Sequence, residues 1–122
     1  MKKVEAVIRP DRLQAVQDAL DSLGTSGLTV SEVLGCGRQR GYTETYRGTK
    51  ANISLQRKVK VEAVVADMSV AAVVDAIAGA AKTGEIGDGK IFVIPVEDAL
   101  RIRTGERGEE IVKHLQPEHW GH

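Results

Sequence analysis

The chain has 122 residues, 42% of them apolar and 28% charged, which is the size and composition of one soluble domain and excludes both a two-domain layout and a bilayer span of roughly 20 apolar residues. Its 17 basic and 17 acidic residues cancel, which argues against a general nucleic-acid binder. The single cysteine, Cys36, excludes an internal disulfide and a thiolate metal cluster within one chain.

Charge returns at Glu5 and Arg9 before an apolar signal core can build, so the expected location is the cytoplasm. The sequence then declares an internal repeat. A shift of 57 positions lays Lys3-Val4-Glu5-Ala6-Val7 on Lys60-Val61-Glu62-Ala63-Val64 and Ala15-Val16 on Ala72-Val73, with nine identities in the eighteen pairs from residue 3 to residue 20. Such agreement without low complexity predicts a duplicated supersecondary unit whose copies fold alike.

In chain order, alternation places Val4, Ala6 and Ile8 on one face of a first strand, with Glu5 on the other. Leu13, Val16, Leu20 and Leu23 form the stripe of a first helix, capped by Asp11 and ended by Gly24. A second strand runs from Leu28 to roughly Leu34, and the repeat supplies a third through Val61, Ala63 and Val65. A second helix carries Val70, Val73, Val74 and Ile77, with Asp67 or Ser69 as cap, and Ile91-Phe92-Val93-Ile94 forms the last strand. The order β-α-β-β-α-β predicts an α+β ferredoxin-like sandwich, two helices on one face of a four-stranded antiparallel sheet. Val7, Val64, Phe92 and Ile94 fall on or near the helix-free face, so a homo-oligomer is expected to cover it.

The connection from Gly37 to Arg57 is far longer than a hairpin turn of about 2–5 residues. From Arg38 to Lys60 there are seven basic residues against one acid, Glu44. A long basic, glycine-punctuated loop reads as functional. Cys36 lies between two glycines with no neighbouring histidine and reads as a small packing residue.

Thr83-Gly84-Glu85-Ile86-Gly87-Asp88-Gly89-Lys90 joins the second helix to the last strand. Its glycines let backbone N–H groups approach a ligand and Lys90 adds a point charge, a combination suited to phosphate oxygens. The spacing is not that of a Walker A loop, and Ile91 stands where a Ser or Thr would hold magnesium. Gly35-Cys36-Gly37 lacks the spacing and the following helix of a dinucleotide fold. Arg101 and Arg103 flank Ile102 at period two, so an extended segment would aim both guanidiniums at one anion with Ile102 packed behind.

These strings resemble the nitrogen-regulatory PII signal-transduction family over about residues 1–108. The resemblance rests on Gly37-Arg38-Gln39-Arg40-Gly41-Tyr42-Thr43-Glu44, Tyr46-Arg47-Gly48, Thr83 through Val93, and Arg101-Ile102-Arg103-Thr104-Gly105-Glu106. It implies a homotrimer of ferredoxin-like subunits, nucleotide sites in the clefts between them, and a T-loop at about 37–57 that reaches target proteins: an enzyme, an ammonium transporter or a regulator. Residues 109–122 are then a C-terminal tail, in which His114, His119 and His122 read as exposed and Trp120 is a candidate to dock the tail on a neighbouring subunit.

Carried over residue by residue, the resemblance puts ATP or ADP against Gly37, Arg38 and Gln39, with its phosphates on the run Gly87, Asp88, Gly89 and Lys90. Arg101 and Arg103 reach in from the adjoining subunit, and Thr29, Glu62 and Val64 border the adenosine. Gln39 holds Mg²⁺ together with the ATP phosphates, and the metal chelates 2-oxoglutarate against Gln39, Arg40, Gly41 and Gly87, its distal carboxylate on Lys58. Tyr46, Arg47 and Thr49 belong to the target-binding loop.

The chain departs from the pattern at Ala51, where many members carry a nucleotidylated tyrosine, and at Ser54-Leu55-Gln56-Arg57, where the family commonly has an acid, two apolar residues and a proline. The expected function is a non-catalytic sensor of ATP/ADP and 2-oxoglutarate that regulates nitrogen-metabolism targets without tyrosine nucleotidylation at position 51. The alternative is a PII-like sensor of a different small anion or nucleotide, for example in carbon metabolism. A phosphotransferase lacks a general-base pair beside the glycine loop, and an RNA binder lacks aromatics, with only Tyr42, Tyr46, Phe92 and Trp120 in the chain.

Overall fold

A computed structural model describes residues 1–25, 27–38 and 53–112. Strand β1 is Lys2–Ile8, helix α1 Leu13–Ser22, β2 Thr29–Arg38, β3 Ile53–Val65, α2 Val70–Ala81 and β4 Lys90–Pro95. The strands lie in the order β2-β3-β1-β4 and pair antiparallel throughout. This is the expected ferredoxin-like α+β sandwich.

The duplication is visible in the backbone. A short 3-10 turn, Pro10–Arg12, leads into α1, and its counterpart 57 positions on, Asp67–Ser69, leads into α2. These turns replace the expected side-chain caps, since neither helix start nor either turn has a side-chain cap hydrogen bond. Asp11 instead lies within the first turn, and Asp67 accepts from the Met1 ammonium at 2.7 Å and from Lys2 at 3.3 Å. Gly24 ends α1 as expected: at φ 79° it lets Thr25 N–H reach Leu20 O and its own N–H reach Asp21 O, a Schellman closure.

Register explains the core. Val4 faces Ala63 and Val93, and Ala6 faces Val61 and Ile91, so one sheet face collects the small and branched residues. Val16 and Leu20 of α1 and Val73 and Ile77 of α2 close over it, all essentially fully buried. Burial of each such side chain is worth about 1.5–3 kcal/mol.

The opposite face carries Val7, Val64, Phe92 and Ile94, with Phe92 47% and Ile94 37% exposed. Its charges are ordered along the strands. One row runs Ser31, Lys60, Val7, Lys90, and the next runs Thr29, Glu62, Glu5, Phe92. The face therefore passes from basic to acidic within one two-residue step.

Three expectations need correction. The second strand begins at Thr29 and continues to Arg38, and β3 already starts at Ile53, because Gly37 pairs with Ser54 and Arg38 with Ile53. Residues 37–38 and 53–57 of the expected loop therefore belong to β2 and β3, and the rest of it, 39–52, lies outside the described residues. Cys36 is exposed opposite Leu55, on a part of the hairpin that no helix covers, and is not a packing residue. At the other end, Glu109 accepts from the Met1 ammonium at 3.1 Å and Val112 is buried, so residues 109–112 pack on the domain.

Candidate functional site

The connection between α2 and β4 is held in shape by one carboxylate. Asp88 accepts the backbone N–H groups of Thr83 and Gly84, each at 2.8 Å, together with the Thr83 hydroxyl and Arg9 Nε at 3.0 Å. The hydrogen bonds from Thr83, with those from Arg9 and Gly84, hold the Asp88 carboxyl far below the usual carboxylate range. An ionised Asp88 would repel phosphate if it faced a ligand. Turned inward, it leaves that position to the backbone and to cations.

Those cations converge on Gly87. Lys58 donates to the Gly87 carbonyl at 2.5 Å, and Arg9 Nη2 donates to the Ile86 carbonyl at 2.7 Å. A Cβ built on Gly87 would lie 3.4 Å from Arg9 Nη2 and 3.5 Å from Lys58 Nζ. At Gly89, φ 101°, a Cβ would sit 1.8 Å from the Val7 carbonyl oxygen. Only glycine lets the loop cross β1 there and deliver Lys90 opposite Val7 at the start of β4. Two positive-φ glycines with Lys58, Lys90 and Arg9 around them make a cradle for a multiply charged anion.

The other half lies at the far end of the same sheet face. A cleft of about 500 Å³ is lined by Lys3, Thr29, Glu62, Val64, Arg101 and Ile111, among others. Lys3 Nζ lies 3.0 Å from Glu62 and 3.5 Å from Glu5. The Glu62 carboxyl is held below its usual range, chiefly by the hydrogen bond from Lys3.

Arg101 reaches this cleft by a route the sequence misread. Residues 101–105 form a turn closed by Gly105 N–H on the Arg101 carbonyl at 2.8 Å, not an extended segment, and Leu100 bridges Arg107 across it. Ile102 is accordingly 92% exposed instead of packed. The Arg101 guanidinium is oriented by Glu106 at 3.3 Å and by the Ile111 carbonyl at 3.2 Å. Arg103 is exposed on the turn.

The structure thus gathers the expected residues into two sets. Lys58, Gly87, Asp88, Gly89 and Lys90 stand at one end, and Thr29, Glu62, Val64 and Arg101 at the other. Gly37 and Arg38 are placed by their backbone in β2, whereas Gln39, Arg40, Gly41, Tyr46, Arg47 and Thr49, with Ala51, lie outside the described residues.

The sequence matches the family described as Nitrogen regulatory protein P-II over residues 1–106. The chain belongs to that family. Nitrogen regulatory protein P-II of Nostoc punctiforme is 58% identical over 112 residues, 92% of this chain and 100% of the relative. Those of Cereibacter sphaeroides and Synechocystis are each 54% identical over the same shares.

Two residues of this P-II chain's site had escaped sequence reading. Arg9 is 79 positions from Asp88, and Lys3 is 59 from Glu62. The signal for Arg9 was a cation at the exit of a buried strand, immediately before Pro10. For Lys3 it was the repeat itself, whose antiparallel pairing sets Glu5 directly against Glu62 and so demands a counter-charge.

Proposed function

We propose that this P-II chain is a non-catalytic regulator of nitrogen metabolism that binds ATP or ADP and 2-oxoglutarate in clefts between the subunits of a homotrimer and signals to target proteins through the loop spanning 39–52. The observation that carries the reading is the split site: a cationic glycine loop and a cleft lined by Lys3, Glu62 and Arg101 at opposite ends of one partly apolar sheet face. Covering Val7, Val64, Phe92 and Ile94 with a second copy in a closed head-to-tail ring sets the loop of one subunit against the cleft of the next.

The residues fit the ligands. Gly87 and Gly89 with Lys90 and Arg9 suit phosphate oxygens, and Thr29, Glu62 and Val64 offer a polar environment for the nucleoside end, with Arg101 toward the phosphates. Among the described residues no three His, Cys, Asp or Glu side chains are grouped to hold a metal, and Asp88 is fully engaged, so Mg²⁺ would be held by the ATP phosphates with Gln39. Bound in that way it would supply a hard cation for the two oxygens of a 2-oxo acid. Lys58, already 2.5 Å from the Gly87 carbonyl, then pairs the distal carboxylate.

Calorimetric titration with Mg-ATP, then 2-oxoglutarate, repeated with ADP, tests this. Binding of 2-oxoglutarate only in the presence of Mg-ATP is expected. Nucleotide binding without any 2-oxoglutarate response would contradict the effector assignment and favour a P-II sensor of another small anion.

A further inference from the structure

The antiparallel pairing of the two repeats has an electrostatic cost. Because Lys3-Val4-Glu5 and Lys60-Val61-Glu62 run in opposite directions, Glu5 and Glu62 become direct cross-strand neighbours on the same face, and like charges so placed repel. Lys60 sits one step along β3, opposite Val7. Lys3, opposite Val64, is the cation that reaches both carboxylates, at 3.0 Å and 3.5 Å. All three side chains are partly shielded from water, between 20% and 32% exposed, so the repulsion is not fully screened there.

The same lysine lines the cleft with Thr29, Glu62, Val64 and Arg101. Without it, two facing carboxylates would swing apart or share a proton, and Arg101 would be the nearest alternative cation lining the cleft. Capture of Glu62 by Arg101 would withdraw both groups from a ligand.

We infer that Lys3 is a positioning residue of the nucleoside half-site, which neutralises the Glu5–Glu62 pair so that Glu62 is presented as an oriented acceptor for a hydrogen-bond donor of the ligand, a ribose hydroxyl or an exocyclic amine. This rests on the reading of the cleft as the nucleoside half of the site. It also assigns Glu5 a definite part. Glu5 is the group that makes Lys3 necessary.

The experiment measures ATP affinity by calorimetry for the full chain and for Lys3→Met, Lys3→Arg, Glu5→Gln and the double variant Lys3→Met/Glu5→Gln. Lys3→Met should bind ATP roughly tenfold more weakly, the scale of losing one hydrogen bond to a charged group. Lys3→Arg should stay close to the parent. In the double variant, removal of the opposing charge should restore most of the loss, which a lysine that merely packed on the strand would not permit. Titration with 2′-deoxy-ATP and with purine riboside triphosphate identifies the donor: in Lys3→Met the preference for ATP over one of these should shrink together with affinity.

Equal weakening in Lys3→Met and the double variant would overturn the inference, as would a Lys3→Met variant that keeps parent affinity. Failure of the parent chain to bind ATP would instead overturn the reading of the cleft, so the two failures are distinguishable. Circular dichroism of each variant separates misfolding from loss of the site, and a folded Lys3→Arg variant that loses ATP affinity would overturn the inference even if Lys3→Met fails to fold.

Discussion

Replacing Gly89 by alanine isolates the closest backbone approach in the site. The new Cβ would stand 1.8 Å from Val7 O and 2.9 Å from Val7 C, and must retreat to at least 3.0 Å, so β1 and the loop must separate by about 1.2 Å. The contact is backbone, so no side chain can give way. Separation at this point breaks the β1–β4 pairing where Val7 meets Lys90, at about 1 kcal/mol for each lost hydrogen bond, and φ 101° adds strain of order 1–3 kcal/mol for a residue with a Cβ. With one such bond lost the sum is about 2–4 kcal/mol, which corresponds to a fall in Tm of roughly 8–16 °C for a domain of this size. Gly84→Ala is the control: φ is 89° but a Cβ there meets nothing within 4 Å, so it should cost only about 1–2 kcal/mol. Thermal denaturation of both variants at one protein concentration decides the matter. A Gly89→Ala variant no less stable than Gly84→Ala would refute the argument from close approach.

Further outcomes follow from the same geometry. Asp88 has a depressed folded pKa, so its ionised form stabilises the protein above the ordinary carboxylate pKa of about 3.9, and that contribution is lost as pH falls below it. Asp88→Asn should therefore be less stable than the parent at pH 7, with the gap in urea midpoints narrowing below about pH 4; a gap constant down to pH 2.5 would contradict this. Lys58→Ala should keep ATP binding and lose 2-oxoglutarate in calorimetric titration, and unchanged metabolite binding would indicate another effector. Phe92→Lys, placed on the half-exposed apolar face beside Glu5, should shift the assembly toward monomers in sedimentation velocity, whereas an undisturbed oligomer would place the interface elsewhere.

Much of this was legible in the sequence because local rules were enough. Alternation assigned Val4, Ala6 and Ile8 to the core and Phe92 to the opposite face, and the 57-residue repeat paired the two halves of the fold, although the 3-10 turns that open both helices stand where side-chain caps were expected. Reading stopped where the third dimension decides. Arg9 meets Asp88, and Lys3 meets Glu62, only through sheet pairing. Period-two spacing at Arg101 and Arg103 implied an extended strand, but Gly105 closes a turn there. The glycine loop was read as a phosphate cradle from composition alone, and its shape depends on Asp88 facing inward, which no local pattern encodes.

The most direct test of a site shared between copies is complementation. Lys90→Ala removes the cation at the loop end, Arg101→Ala the one at the cleft end, and each homo-oligomer should bind ATP poorly. After the two variants are unfolded together at equal concentration and refolded, random assembly of a closed ring juxtaposes an intact loop and an intact cleft at roughly a quarter of the interfaces. ATP binding with parent affinity at about that fraction of sites is the predicted result in equilibrium dialysis. No recovery in the mixed assembly, with both variants folded and co-assembled, would contradict the account, because it would mean that each site is built within a single chain.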